Sequence, residues 1–210
     1  MLKLAISCIF LSLLNSAFAQ EVVPKKFQKI IKNFANADDK LPWGEKNDRA
    51  PKGLNQFGKI IGLWRVQNES MDRKGNWSQP KTAFWAFKYI MDGYAIQDLY
   101  LKSNDGILGG LTQIRAYNRN QNNWTIKSIS FSSSLDPMDH VDFVATEKEG
   151  VMIMKGQDKT DNKLRISFYD FKQNSFKWKI EYYIKELEKW LEVGRISAKR
   201  MNLNDFSMTE

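Results

Sequence analysis

Five residues in this sequence could do chemistry together. Asp98 and Tyr100 lie in "AIQDLY", Arg115 and Tyr117 in "IRAYN", and Glu192 in "WLEVGRISAKR". If all five face the inside of one domain, that interior holds two carboxylates, a guanidinium and two phenols. Such a set could receive the polar head group of a ligand, or do acid/base work through a carboxyl whose pKa burial raises. Buried charge is costly unless paired. A network of Arg115 with the carboxylates is therefore expected, and for each residue the simpler reading is a satisfied internal salt bridge.

His140 is the only histidine and follows a turn in "LDPMDHVDF". One reading makes it an axial haem ligand. Pro137 and Met138 supply too little apolar surface for a haem pocket, and Asp139 and Asp142 flank the ring. A solvated histidine at a strand start is preferred, and no cofactor is expected. One histidine also excludes a multi-histidine metal site. Cys8 is the only cysteine. It lies in "MLKLAISCIFLSLLNSAFA" (1–19), where Lys3, an apolar run from Leu4 to Leu14 and Ala17-Phe18-Ala19 read as a secretory signal peptide cleaved before Gln20. The mature chain is then free of cysteine, which excludes disulfides, thiol nucleophiles and thiolate metal sites. No phosphate loop or nucleophile elbow is present. Asn68, Asn76 and Asn123 head glycosylation triplets that matter only in a eukaryotic host.

Without the signal, 191 residues remain, with 31 basic against 24 acidic ones and a net charge of +7. The excess is modest and dispersed. It fits solubility and weak affinity for anionic surfaces better than a nucleic-acid footprint. The expected organisation is a signal (1–19), a helix and linker arm (20–53), a β-domain (54–203) and a short tail (204–210).

These residues must be positioned by elements that the sequence also announces. Phe27, Ile30, Ile31 and Phe34 fall on one helical stripe flanked by Lys25, Lys26, Lys29 and Lys32. That helix either lies on the domain, which is preferred, or makes a weak membrane-surface contact through 24–36. "DDKLPWGEKNDRAPKG" follows as a linker or ordered arm that Trp43 anchors. From 62 onward the period is two, with turns rich in Asn, Asp and Gly. Ten strands are predicted, at 62–70, 81–91, 94–102, 109–118, 123–132, 140–147, 150–156, 162–170, 174–185 and 190–200. In "NSFKWKIEYYIKE", Phe176, Trp178, Ile180, Tyr182 and Ile184 share one face and charges occupy the other. The fold class is mainly β, a single antiparallel up-and-down barrel with an N-terminal helical arm. A membrane barrel is disfavoured, because neither face of 190–200 is apolar enough for lipid.

The run of "GLW", "FWAFKYIMDGYAIQDLY", "IRAYN", "FYDFKQNSFKW" and "WLEVGRISAKR" resembles a family of lipocalin-like β-barrel domains of unknown function found in exported bacterial proteins. The resemblance spans roughly 56–201. It implies a calycin-type barrel closed at one end, with Gly62 turning the chain into the first strand, Trp64 plugging the closed end, and Arg200 (or Arg195) packing over that Trp. Asp98 and Glu192 match family positions. Met91 departs from an expected Leu. Gly194 stands where an aromatic is expected, which would enlarge a cavity on that side. The expected work is binding of a small, partly apolar molecule. Trp85, Phe87, Trp178 and Tyr182 would form the wall, with Arg115, Asp98 and Glu192 as the polar anchor. The competing expectations are a cofactor-free isomerase, cyclase or hydrolase using those carboxylates with Tyr100 or Tyr117, and a docking module acting through the basic helix.

Overall fold

In a computed structural model, the chain forms ten antiparallel strands closed into one barrel: β1 (Gly62–Ser70), β2 (Lys81–Ile90), β3 (Ala95–Asn104), β4 (Ile107–Asn118), β5 (Asn123–Ser132), β6 (His140–Lys148), β7 (Val151–Gln157), β8 (Lys163–Lys172), β9 (Ser175–Ile184) and β10 (Lys189–Met201). The structure describes residues 24–36, 39–104, 107–132 and 140–206. The expected signal peptide with Cys8, and the last four residues of the tail, lie outside these. Each strand pairs with its sequence neighbour, and β1 closes on β10 through the register Leu63 with Met201 to Ser70 with Gly194. Closure removes the unpaired edges that an open sheet would expose. The hairpins turn through left-handed residues such as Asp92, Asn122 and Asp161, side chains that tolerate positive φ.

Inward positions alternate along every strand and are mostly apolar, whereas Arg165, Lys177, Lys179 and Lys199 stand outside on β8–β10. This is the reverse of a membrane barrel, which is apolar outside. β2 breaks the alternation, with Ala83 to Phe87 buried on both faces. The reason is α1 (Lys25–Ala35), which lies across the outside of β1–β3. Its stripe of Phe27 and Ile31 packs on Leu63, Phe84, Ala86 and Leu101, and Phe27 meets Phe84 edge-on at 5.9 Å. Lys88 Nζ donates to the Phe34 carbonyl at 2.7 Å, satisfying one of the helix's terminal acceptors. The apolar face of α1 is thus used within the fold, and Lys25, Lys26 and Lys29 point to solvent.

The arm after α1 is ordered. The Tyr89 amide donates to the Trp43 carbonyl at 2.8 Å, and Asn47 Nδ2 donates to Asp92 Oδ2 at 2.8 Å. It leads through a 3-10 turn (Lys52–Leu54) into α2 (Asn55–Gly58), and Leu54, Phe57 and Ile60 from this stretch plug one end of the barrel.

Ile31→Ala should cost about 2–5 kcal/mol of stability in urea unfolding, the usual range for truncating a buried Ile. Lys29→Ala should stay within about 0.5 kcal/mol. A small effect of Ile31→Ala would show that α1 is not held on the barrel in solution.

Candidate functional site

The closed end is built around Trp64. Its Nε1–H donates to the Ile60 carbonyl at 2.8 Å, and its ring meets Phe176 edge-on at 4.7 Å. Arg200 lies over the Trp64 ring at 4.1 Å and donates to the carbonyls of Ile61 (2.7 Å), Lys59 (3.0 Å) and Gln173 (3.2 Å). Gly62 is required here twice over. Its φ is +119°, and a Cβ would lie 2.7 Å from Arg200 Nη1. Arg195 is elsewhere, on the outside, paired with Glu69 at 2.8 Å and stacked on Trp77.

Above this plug, Trp85 is the hub of the interior. Its ring contacts Phe87 (5.0 Å), Tyr100 (5.4 Å), Phe168 (5.4 Å) and Trp178 (6.2 Å), so aromatic packing crosses from β2–β3 to β8–β9. Asp98 and Arg115 are fully buried beside it. Asp98 Oδ2 accepts from Trp85 Nε1 at 2.9 Å and from Arg115 Nη2 at 2.8 Å, while Oδ1 accepts from the Gln113 amide at 2.6 Å. Arg115 Nη2 also donates to Gln113 Oε1, and Gln113 Nε2 passes the chain on to Ser128 Oγ at 3.2 Å. The guanidinium lies over the rings of Phe57 (5.1 Å) and Phe87 (5.3 Å). Burial pushes the Asp98 carboxyl up from its ordinary range, opposed first by Arg115 and then by the Trp85 and Gln113 donors.

Toward the other end the interior is less sealed. Leu111, Trp178, Ile180 and Tyr182 face inward but are only partly buried. Tyr100, 7% exposed, has its hydroxyl beside the Asn68 side chain, which favours the phenolate, but no acceptor in the protein takes the hydroxyl proton at full hydrogen-bonding geometry. Burial raises this phenol well above its ordinary range, so it stays a neutral donor at all ordinary pH values. The polar groups Asp98, Tyr100, Gln113, Arg115 and Ser128 all project from β3–β5, whereas the facing wall of β8–β9 is aromatic and aliphatic.

Of the expected cavity residues, Trp85, Asp98, Tyr100, Trp178 and Tyr182 share the middle and the less sealed end. Phe87, Arg115 and Tyr117 sit nearer the plug. Tyr117 bonds to Asn122 and meets Trp124 edge-on at 5.4 Å, so its ring helps close that end. Glu192 requires a correction. It lies outside the barrel, opposite Glu181 and 3.9 Å from Lys179. A bulge between Glu192 and Gly194 reverses the in–out order of β10 at that point. Asp98 and Glu192 therefore do not share a cavity. The volume expected from Gly194 is also taken up, since a Cβ there would meet Ile180 Cγ2 at 2.9 Å. His140 is exposed at the start of β6, opposite the exposed Ile129. Gln113 and Ser128 were missed by the sequence reading, although Gln113 shares the parity of Arg115 and Ser128 that of Trp124 and Ile126.

No family model matches the sequence, and no curated protein matches it. Among solved structures, the chain is similar to the S-type phycobiliprotein lyase CPES from Guillardia theta, with 8% identity and a TM-score of 0.50 over 71% of this chain and 92% of that one. A protein of unknown function from the DUF3598 family, from Nostoc punctiforme, aligns over 72% of this chain and 100% of its own at 6% identity, with a TM-score of 0.22. The likeness to the lyase is one of fold. With the closed ten-strand topology, it fits a lipocalin-like, calycin-type barrel.

Two substitutions test the interior network by urea unfolding. Arg115→Met leaves the Asp98 carboxylate without a counter-charge and should cost about 3–5 kcal/mol at neutral pH. With the guanidinium gone, only the Trp85 and Gln113 donors still oppose burial, so the Asp98 pKa rises further and the folded variant takes up its proton more readily than the unfolded chain. The cost should therefore shrink as pH falls toward 4. Tyr100→Phe should raise stability by about 1 kcal/mol, because it removes a buried hydroxyl that has no partner. A destabilised Tyr100→Phe protein would mean that the hydroxyl is satisfied in solution.

Proposed function

We propose that this protein is an exported, soluble barrel that binds a small, partly apolar molecule through the end opposite α2. One observation carries the reading. Trp178, Ile180, Tyr182 and Leu111 face inward yet remain partly accessible at that end, while the other end is filled by Leu54, Phe57, Ile60 and Trp64. Large apolar side chains that face inward without being covered are what a pre-formed ligand site presents. The enzyme reading loses its paired carboxylates. Glu192 is outside, and both oxygens of Asp98 are occupied by donors. Export rests on residues 1–19 alone and predicts a mature chain beginning at Gln20, which an intact mass from the exported fraction of the host would read.

Binding is tested with N-phenyl-naphthylamine, a neutral probe that fluoresces in apolar surroundings. Saturable one-to-one binding with energy transfer from tryptophan is expected. Trp178→Ala and Tyr182→Ala should each weaken it about 5- to 10-fold, equivalent to about 1–1.4 kcal/mol. Trp190→Ala, on the outer face over Arg165, should leave it unchanged. Absence of saturable binding, or binding indifferent to both inner substitutions, would sink the proposal.

A further inference from the structure

We infer that the ligand presents an uncharged hydrogen-bond acceptor, such as an ester, ketone or amide carbonyl, to the Tyr100 hydroxyl, with its apolar part against β8–β9. This rests on the binding reading above and adds the ligand's chemical class and orientation. The orientation follows from the asymmetry of the interior, where the buried polar groups that face inward (Asp98, Tyr100, Gln113, Arg115 and Ser128) project from β3–β5 and the opposite wall is Ile166, Phe168, Trp178, Ile180 and Tyr182. The acceptor follows from which groups are still unpartnered. Asp98 has both oxygens filled, Gln113 accepts from Arg115 and donates to Ser128, and the Tyr100 hydroxyl has no partner. Deeper in, Arg115 Nε and Nη1 are also unpartnered, and both are donors. Apart from the Asn68 amide at its edge, what this cluster lacks is an acceptor.

The absence of charge follows from the balance of the same cluster. Asp98 and Arg115 are both fully buried and 2.8 Å apart, one of each sign. A ligand carboxylate brought beside them would be a second buried anion against one cation, at the desolvation cost of an unpaired charge. A neutral carbonyl meets the same donors without that cost.

Three pyrene probes built on the same four-carbon chain separate the possibilities: butylpyrene, pyrenebutyric acid and its methyl ester, titrated at pH 7 against the full-length mature protein. The ester should bind about tenfold tighter than the hydrocarbon, the size of one buried hydrogen bond, and tighter than the acid. Tyr100→Phe keeps the ring. It should abolish the ester's advantage while leaving butylpyrene affinity unchanged. Equal binding of ester and hydrocarbon, tightest binding of the acid, or an ester preference that survives Tyr100→Phe would each overturn the inference while leaving the binding site itself standing. If none of the three binds, the binding reading falls and this inference with it.

Discussion

The interior of this barrel is organised around one carboxylate. Asp98 is fully buried on β3, where an ion without partners would be costly. It is met from three sides by donors: the indole of Trp85 on β2, the backbone amide of Gln113 on β4 and the guanidinium of Arg115 on β4. These bonds do more than satisfy a charge. A one-residue slip of β2 or β4 against β3 would move Trp85 or Arg115 to the outer face and strand the carboxylate, so the network reinforces the registers Phe87 with Asp98 and Asp98 with Gln113. The bond to its Nε1 also fixes the plane of Trp85, the ring on which the rest of the aromatic packing is built.

From that fixed ring the two ends of the barrel diverge. Toward α2, Phe87, Phe168 and Phe176 lead to Trp64, which is held by the Ile60 carbonyl below and Arg200 alongside. These four rings are all buried. Toward the other end, Tyr100 and Trp178 meet Trp85 edge-on, but Trp178 and Tyr182 are only partly covered. A rigid floor beneath incompletely covered aromatics is a physical basis for binding without large rearrangement. The ordering cost has already been met in folding the network. The unpartnered Tyr100 hydroxyl lowers stability on its own, a cost that a bound acceptor would offset.

Much of this was legible residue by residue. The strands follow from period-two patterning interrupted by Asn, Asp and Gly, and α1 from the spacing of Phe27, Ile31 and Phe34. The closed end was visible only through the family resemblance, which implies a Gly-x-Trp at the first strand with a late Arg packed over the Trp. Less visible was why β2 is apolar on both faces. Its cause is α1, some fifty residues upstream, lying on it, and local pattern carries no record of which distant element covers a strand.

The sequence by itself determined where the chain turns, which residues alternate and that Arg115, if buried, needs a carboxylate partner, since these depend on local backbone preference and on the cost of isolated charge. Only the tertiary structure decided which side of the wall several residues occupy. Glu192 shares parity with Gly194, Ile196 and Ala198, and counting by twos puts it inside. The bulge at Val193 adds one residue to β10 against β9, so everything before it changes face, and Glu192 lands half-buried on the outer face beside Lys179. Gly194 likewise reads as empty space until Ile180 from the neighbouring strand is seen to fill it. Alternation is a local rule. Bulges and the filling of a shared interior are settled between strands, by pairing and close packing that no single strand encodes.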